Sequence, residues 1–131
     1  MSVDSVSVLR PASEADLSEA IRTASGPLAI RGGGTRPVGR PQPGAVLETG
    51  AMTGITLYEP GALTLVARAG TPLAEVEATL KAEGQRLPFE PMDHRGLLGT
   101  SGAPTLGGMV AANASGPRRV VAGACRDSLI G

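Results

Sequence analysis

The sequence predicts an α+β fold whose loops carry the function, and three observations lead there. Short apolar runs bounded by glycine or proline alternate with two segments of helical apolar spacing. Glycines gather at two places, Gly32 to Gly34 and Gly107 with Gly108. The 19 glycines and 11 prolines of the 131-residue chain also fall between apolar segments, with no low-complexity tract and no internal repeat. Turn formers at this level approach the disordered range, but punctuation of this kind belongs to a folded domain with binding loops.

Taken in order, Val3 to Leu9 alternates loosely and reads either as a short strand or as a flexible lead-in. Ser13 then opens a helix as N-cap, with Asp16 three residues on as the other half of a capping box. Leu17, Ala20, Ile21 and Ala24 form its apolar stripe, and Gly26-Pro27 stop it. Leu28 to Ile30 is a strand running into Arg31-Gly32-Gly33-Gly34-Thr35, followed by a proline-rich excursion through Pro37, Pro41 and Pro43. A strand, a glycine loop and then an excursion is the order of a loop that wraps a ligand at a strand end.

Ala45 to Glu48 is the next strand, Met52 to Leu57 a turn and a short segment, and Leu63 to Ala67 a further strand. After Gly70, Thr71 is expected to cap a second helix, with Pro72 at its first position. Leu73, Val76 and Leu80 line its inner face, Glu75, Glu77, Lys81 and Glu83 its wet face, and Gly84 closes it. Leu87 to Phe89 reads as a short strand, and the irregular run Glu90 to Pro104 as a functional or mobile loop. Beyond Gly116, Val120 to Ala124 is apolar, Arg126-Asp127 a turn, and Ser128 to Gly131 the beginning of another strand that reads as interrupted.

Composition narrows the function. Twelve basic residues balance twelve acidic ones, so no overall field points to nucleic acid or an anionic membrane. Tyr58 and Phe89 are too few aromatics for a base-stacking platform. The single cysteine, Cys125, excludes an internal disulfide and any multi-cysteine metal site, and reads as a small buried apolar residue. With no basic-then-apolar N-terminal pattern and no run of apolar residues long enough to span a bilayer, a soluble cytoplasmic protein is the expectation. Asn113-Ala114-Ser115, formally a glycosylation acceptor, carries no meaning in such a protein.

The organising stretch is Thr105 to Gly116, Thr-Leu-Gly-Gly-Met-Val-Ala-Ala-Asn-Ala-Ser-Gly. Paired glycines leave N–H groups uncovered where a helix begins, which suits a phosphate. Met109 to Ala112 keep that helix slim, and Asn113, Ser115 and Gly116 form a polar, permissive end. The expectation is that Gly32 to Gly34 and Gly107-Gly108 face each other across a gap sized for one diphosphate. Two familiar phosphate motifs are excluded. Gly102 to Gly107 has P-loop spacing, but Gly108 and Met109 stand where Lys and Ser or Thr are required. Pro37 replaces the last glycine of a dinucleotide fingerprint, and no helix follows. His94, the single histidine, has no partners for a metal and reads as a hydrogen-bonded or exposed loop residue or an auxiliary ligand contact. Arg118 and Arg119 suit either a phosphate or solvent.

These residues carry a pattern. Arg-Gly-Gly-Gly-Thr at 31 to 35, Ala-Gly-Thr-Pro-Leu at 69 to 73 and the Thr105 to Gly116 stretch together resemble the FAD-binding domain of the vanillyl-alcohol oxidase and para-cresol methylhydroxylase (PCMH-type) family. Three further stretches are similar to FAD-binding subunits of bacterial glycolate oxidases: Gly54 to Pro60, Gly84 to Pro91, and Gly116 to Arg119 with Gly123, Arg126-Asp127 and Gly131. The resemblance runs from about Pro11 to the last residue.

It implies the first lobe of such a domain at about 11 to 116, a small mixed sheet with two flanking helices, and the start of a truncated second lobe at 117 to 131. By match, FAD would be held by Arg31, Gly32, Gly33, Gly34, Thr35, Pro104, Thr105, Leu106, Gly107, Gly108, Ala112, Asn113, Ser115 and Gly116. The first two groups would wrap the pyrophosphate, and Asn113 to Gly116 would lie by the ribityl or flavin part. His94 does not fall on the motif by which some relatives tether flavin, and no residue is assigned as catalytic or as a metal ligand. The implied activity is oxidation of a 2-hydroxy acid to a 2-oxo acid, with a second flavoprotein subunit and an iron–sulfur subunit as partners. The competing expectations are a non-catalytic assembly module that docks on another flavoprotein subunit, exposing an apolar face, and the FAD domain of a D-lactate or 2-hydroxyglutarate dehydrogenase.

Overall fold

The computed structural model describes residues 7–37 and 44–131. The start of the lead-in and the proline-rich excursion at 38–43 lie outside the described residues. Strand β1 (Val8–Leu9), helix α1 (Glu14–Arg22), strand β2 (Leu28–Arg31) and strand β3 (Ala45–Glu48) come first. They are followed by β4 (Ile55–Glu59), β5 (Thr64–Ala67), α2 (Leu73–Ala82), α3 (Arg95–Leu98), α4 (Leu106–Ala111) and α5 (Arg119–Ala122). Ser13 caps α1 as expected, its hydroxyl accepting from the Asp16 N–H at 3.1 Å. The α1 stripe is shallowly seated, with Leu17 half-buried and Ile21 exposed.

Parallel and antiparallel pairing are divided between two sheets instead of sharing one. β1, β3 and β2 form a parallel sheet in that order, with Leu28 opposite Ala45 and Arg31 opposite Glu48. Central β3 has neighbours on both edges, so Leu47 is its most buried residue. β4 and β5 pair antiparallel through a tight 3-10 turn at Pro60–Ala62, which leaves Leu63 at φ 54. The Tyr58 hydroxyl donates to the Gln85 side-chain oxygen, whose amide nitrogen in turn donates to the Pro60 carbonyl at 2.9 Å. That pair fastens the hairpin to the end of α2.

Helix α2 buries Leu73, Val76 and Leu80, the face that its periodicity predicts. Gly84 closes it at φ 68, with the Gln85 N–H donating to the Leu80 carbonyl and the Gly84 N–H to that of Lys81, a Schellman ending. Thr71 does not cap this helix; Pro72 is the N-cap residue. The Thr71 side chain is fully buried and turned the other way, donating to the Arg68 carbonyl at 2.7 Å and accepting from the Gly54 N–H at 3.0 Å. Thr71→Val keeps the shape and leaves the Arg68 carbonyl its bond from the Thr71 N–H at 3.1 Å, but strands the Gly54 N–H, and is expected to cost about 1–3 kcal/mol in chemical denaturation.

Leu87 to Phe89 is not a strand; it is a turn-rich segment that drops Phe89 into the core. It pairs with no described strand, and the Phe89 carbonyl instead accepts from the Gly116 N–H at 2.8 Å. Ser128 to Gly131 likewise forms no strand: a 3-10 turn spans Cys125–Ser128, and the rest is irregular. The main apolar cluster joins Leu73, Phe89, Met109, Ala114 and Cys125. It locks α2 and α4 together beside the loops described next. Cys125 is a free, buried thiol, and burial pushes its pKa up.

Candidate functional site

The Gly32–Thr35 loop leaves the carboxyl end of β2, a parallel strand, which is where ligands gather in open parallel sheets. Its glycines meet the second cluster directly. A Cβ on Gly32 would lie 2.8 Å from the Thr105 hydroxyl and 3.8 Å from the Gly108 nitrogen and Cα. One on Gly33 would overlap the Ala103 carbonyl oxygen and come 2.9 Å from its carbon. The two runs therefore pack in contact, with no diphosphate-sized gap between them. Glycine is required here because backbone lies against backbone.

A third stretch braces the second cluster from behind. The Leu106 N–H donates to the Thr71 carbonyl at 2.9 Å and the Gly107 N–H to that of Ala69 at 2.8 Å. The Leu73 N–H donates to the Pro104 carbonyl at 2.8 Å, and Pro72 bridges Thr105 in antiparallel fashion. A Cβ on Gly107 would come 2.9 Å from the Ala69 carbonyl oxygen. Thus residues 69–73, 103–108 and 32–33 form three stacked layers of main chain.

This packing corrects the expected role of the α4 start. Its N–H groups are consumed inside the protein: Leu106 and Gly107 as above, Gly108 by the Thr105 hydroxyl at 3.2 Å, and Met109 by the Thr105 carbonyl at 3.0 Å. By contrast, among the described residues no acceptor meets the N–H groups of Gly32, Gly33, Gly34 or Thr35. Gly34 adopts φ 70, the left-handed conformation that turns successive N–H groups toward one side. Among the described residues the unbonded donors are thus on the first cluster, and the second is its buttress.

The remaining expected residues fall in two groups. Arg31 pairs with Glu48 across β2 and β3 at 3.3 Å, its side chain half exposed beside the loop. Ala112, Asn113, Ser115 and Gly116 lie at the far end of α4 and are joined to the 3-10 turn. Asn113 takes φ 48 at the position after the C-cap, and the N–H groups of Asn113 and Ala114 donate back to the carbonyls of Val110 and Met109, again a Schellman ending. The Asn113 side chain accepts from the Arg126 N–H at 3.0 Å, and the Ser115 hydroxyl accepts from that of Cys125 at 3.1 Å. Gly116 is tightly enclosed, since a Cβ there would meet the Glu90 carbonyl oxygen at 2.5 Å.

Five contacts on the long loop had no signal in residue spacing. Arg36 donates through Nε to His94 Nδ1 at 2.8 Å and through Nη2 to the Met92 carbonyl at 2.9 Å. The Thr100 hydroxyl donates to the Thr35 carbonyl at 2.9 Å. Arg95 donates to the Gly102 carbonyl at 2.9 Å and to both Asp93 oxygens. Hydrogen bonds from the Arg95 side chain and N–H hold Asp93 down at about 2. Because that lowers the folded-state pKa, the tie is complete above the ordinary carboxylate range near pH 4 and is lost only as pH falls through about 2. No group of three or more His, Cys, Asp or Glu among the described residues is placed to hold a metal ion. No described helix is long and apolar enough to cross a membrane.

An uncovered amide row, glycines that admit close approach and flanking arginines fit the diphosphate of a dinucleotide and lack the lysine of a triphosphate site. The chain belongs to the FAD-binding domain family, which it matches over residues 6–131, and FAD is its cofactor. More particularly, it is 42% identical over 106 residues to the glycolate oxidase subunit GlcE of Escherichia coli (strain K12). The alignment covers 80% of this chain and 29% of that protein, so the chain spans less than a third of the relative's length.

Proposed function

We propose that this chain is the FAD-holding part of a glycolate oxidase of the GlcE type, acting on a 2-hydroxy acid to give the 2-oxo acid. The observation that carries the reading is the row of N–H groups from Gly32 to Thr35 that meet no acceptor among the described residues, fixed by contact with Ala103, Thr105 and Gly108. Those donors would take the diphosphate oxygens, with the arginine side chains of 31 and 36 supplying positive charge at the rim. Pro104 to Gly108 would hold the loop's shape, and Ala112, Asn113, Ser115 and Gly116 would border the ribityl or flavin part. When bound, the flavin supplies the redox chemistry, accepting the electron pair that leaves the hydroxy acid. No residue of this chain is assigned to substrate.

Residues 11–116 then form the first lobe and 117–131 the start of the second, in a cytoplasmic assembly with a second flavoprotein subunit and an iron–sulfur subunit. Val120, Val121 and Ile130 are 93%, 84% and 83% exposed, apolar side chains that such packing would cover. The same side chains favour a second reading, an assembly module without bound flavin.

Calorimetric titration of the 131-residue chain with FAD separates the two. The first reading requires saturable binding that inorganic pyrophosphate competes away. Absence of FAD binding, with the chain still forming partner complexes, would leave the assembly module.

A further inference from the structure

We infer that His94 is a positioning residue for the Gly32–Thr35 loop, holding the Arg36 guanidinium with a neutral imidazole and releasing it when protonated. The inference rests on the reading of that loop as the diphosphate cradle. An arginine Nε carries its hydrogen at every accessible pH and can only donate. Its partner at 2.8 Å, His94 Nδ1, must therefore present a bare lone pair, which places the imidazole proton on Nε2. An imidazolium has N–H on both nitrogens, so protonation removes the acceptor and sets a second cation against Arg36.

The consequence for the loop follows from connectivity. Arg36 is one residue beyond Thr35, the last of the free amides, and its two bonds to His94 and the Met92 carbonyl tie that end of the loop to the long segment before α3. The loop is also held by the Thr100 hydroxyl on the Thr35 carbonyl and by the packing of Gly32 on Thr105 and of Gly33 on Ala103, none of which contains a titratable group. At its other end the Arg31–Glu48 pair, at 3.3 Å, brings a carboxylate. Around the imidazole, Arg36 comes from the loop, and Asp93 and Arg95 flank it in sequence. Glu77 of α2 lines the same roughly 230 Å³ cavity as Arg36, Asp93 and Arg95. Asp93, held at about 2, stays anionic throughout the range in which imidazoles titrate, and arginine stays cationic.

The test compares wild type with His94→Gln, which keeps a carbonyl acceptor and does not titrate, and with His94→Ala, which has none. FAD affinity is read by calorimetry at about pH 7.5 and about pH 5.5. In wild type it is expected to fall about tenfold on acidification, the scale of one hydrogen bond to a charged group. His94→Gln should hold the neutral-pH value at both, and His94→Ala should be weakened at both. Without ligand, the amide resonances of Gly33, Gly34 and Thr35 should titrate with the imidazole in wild type and lie flat in His94→Gln. Long-range ¹H–¹⁵N spectra should show the Nε2–H tautomer. A proton on Nδ1 at neutral pH, or equal acid loss in wild type and His94→Gln, overturns the inference. A chain that binds no FAD at either pH refutes the cradle reading, while the ligand-free spectra still decide the role of His94.

Discussion

Gly33→Ala is expected to lower FAD affinity by at least about tenfold and stability by about 1–3 kcal/mol or more, the range for forcing atoms into a packed site. The added methyl meets backbone, the Ala103 carbonyl, and not the end of a flexible side chain. Relief must move either the glycine loop or the segment that begins the α4 approach, and either motion disorders the amide row. Gly26→Ala is the control: nothing lies within 4 Å of its Cβ position, and stability should stay within about 0.5 kcal/mol. Thermal unfolding and FAD calorimetry on the two variants check both halves of the prediction.

The second large effect is expected at Met109, which is 1% exposed in the middle of the cluster with Leu73, Phe89, Ala114 and Cys125. Met109→Ala removes the side chain that seats α4 and leaves a cavity, at a cost of about 2–5 kcal/mol. The denaturation midpoint should drop with an unchanged denaturant slope, since the exposed surface on unfolding is nearly the same. FAD affinity should weaken too, because α4 begins at the buttress that sets the Gly32 position. A variant that loses stability but keeps full affinity would uncouple the core from the loop.

What could be read in the sequence was local. The Ala45–Glu48 strand, the inner face of α2 and its Gly84 ending follow from spacing and from the residue types that turns require. The two glycine clusters were legible as sites of close approach, because only glycine serves where main chain meets main chain. What they approach was not. The α4 start looked like a set of free donors, yet its acceptors, the carbonyls of Ala69 and Thr71, come from a segment more than thirty residues earlier. Thr71 matched a helix cap in type, but the Gly54 N–H and Arg68 carbonyl competed for its hydroxyl and won. Leu87 to Phe89 had strand composition without a strand partner. The Arg36 to His94 bond joins residues with no periodic relation, so it appears only once the fold has formed.

The central claim is that the first glycine loop supplies the donors and the second cluster supplies the shape. Amide chemical-shift mapping during titration with inorganic pyrophosphate tests it most directly. The account predicts the largest shifts at Gly32, Gly33, Gly34 and Thr35, with Leu106, Gly107 and Gly108 moving little because their N–H groups are already bonded. Large shifts at Gly107 and Gly108 with the Gly32–Thr35 amides unmoved would contradict it.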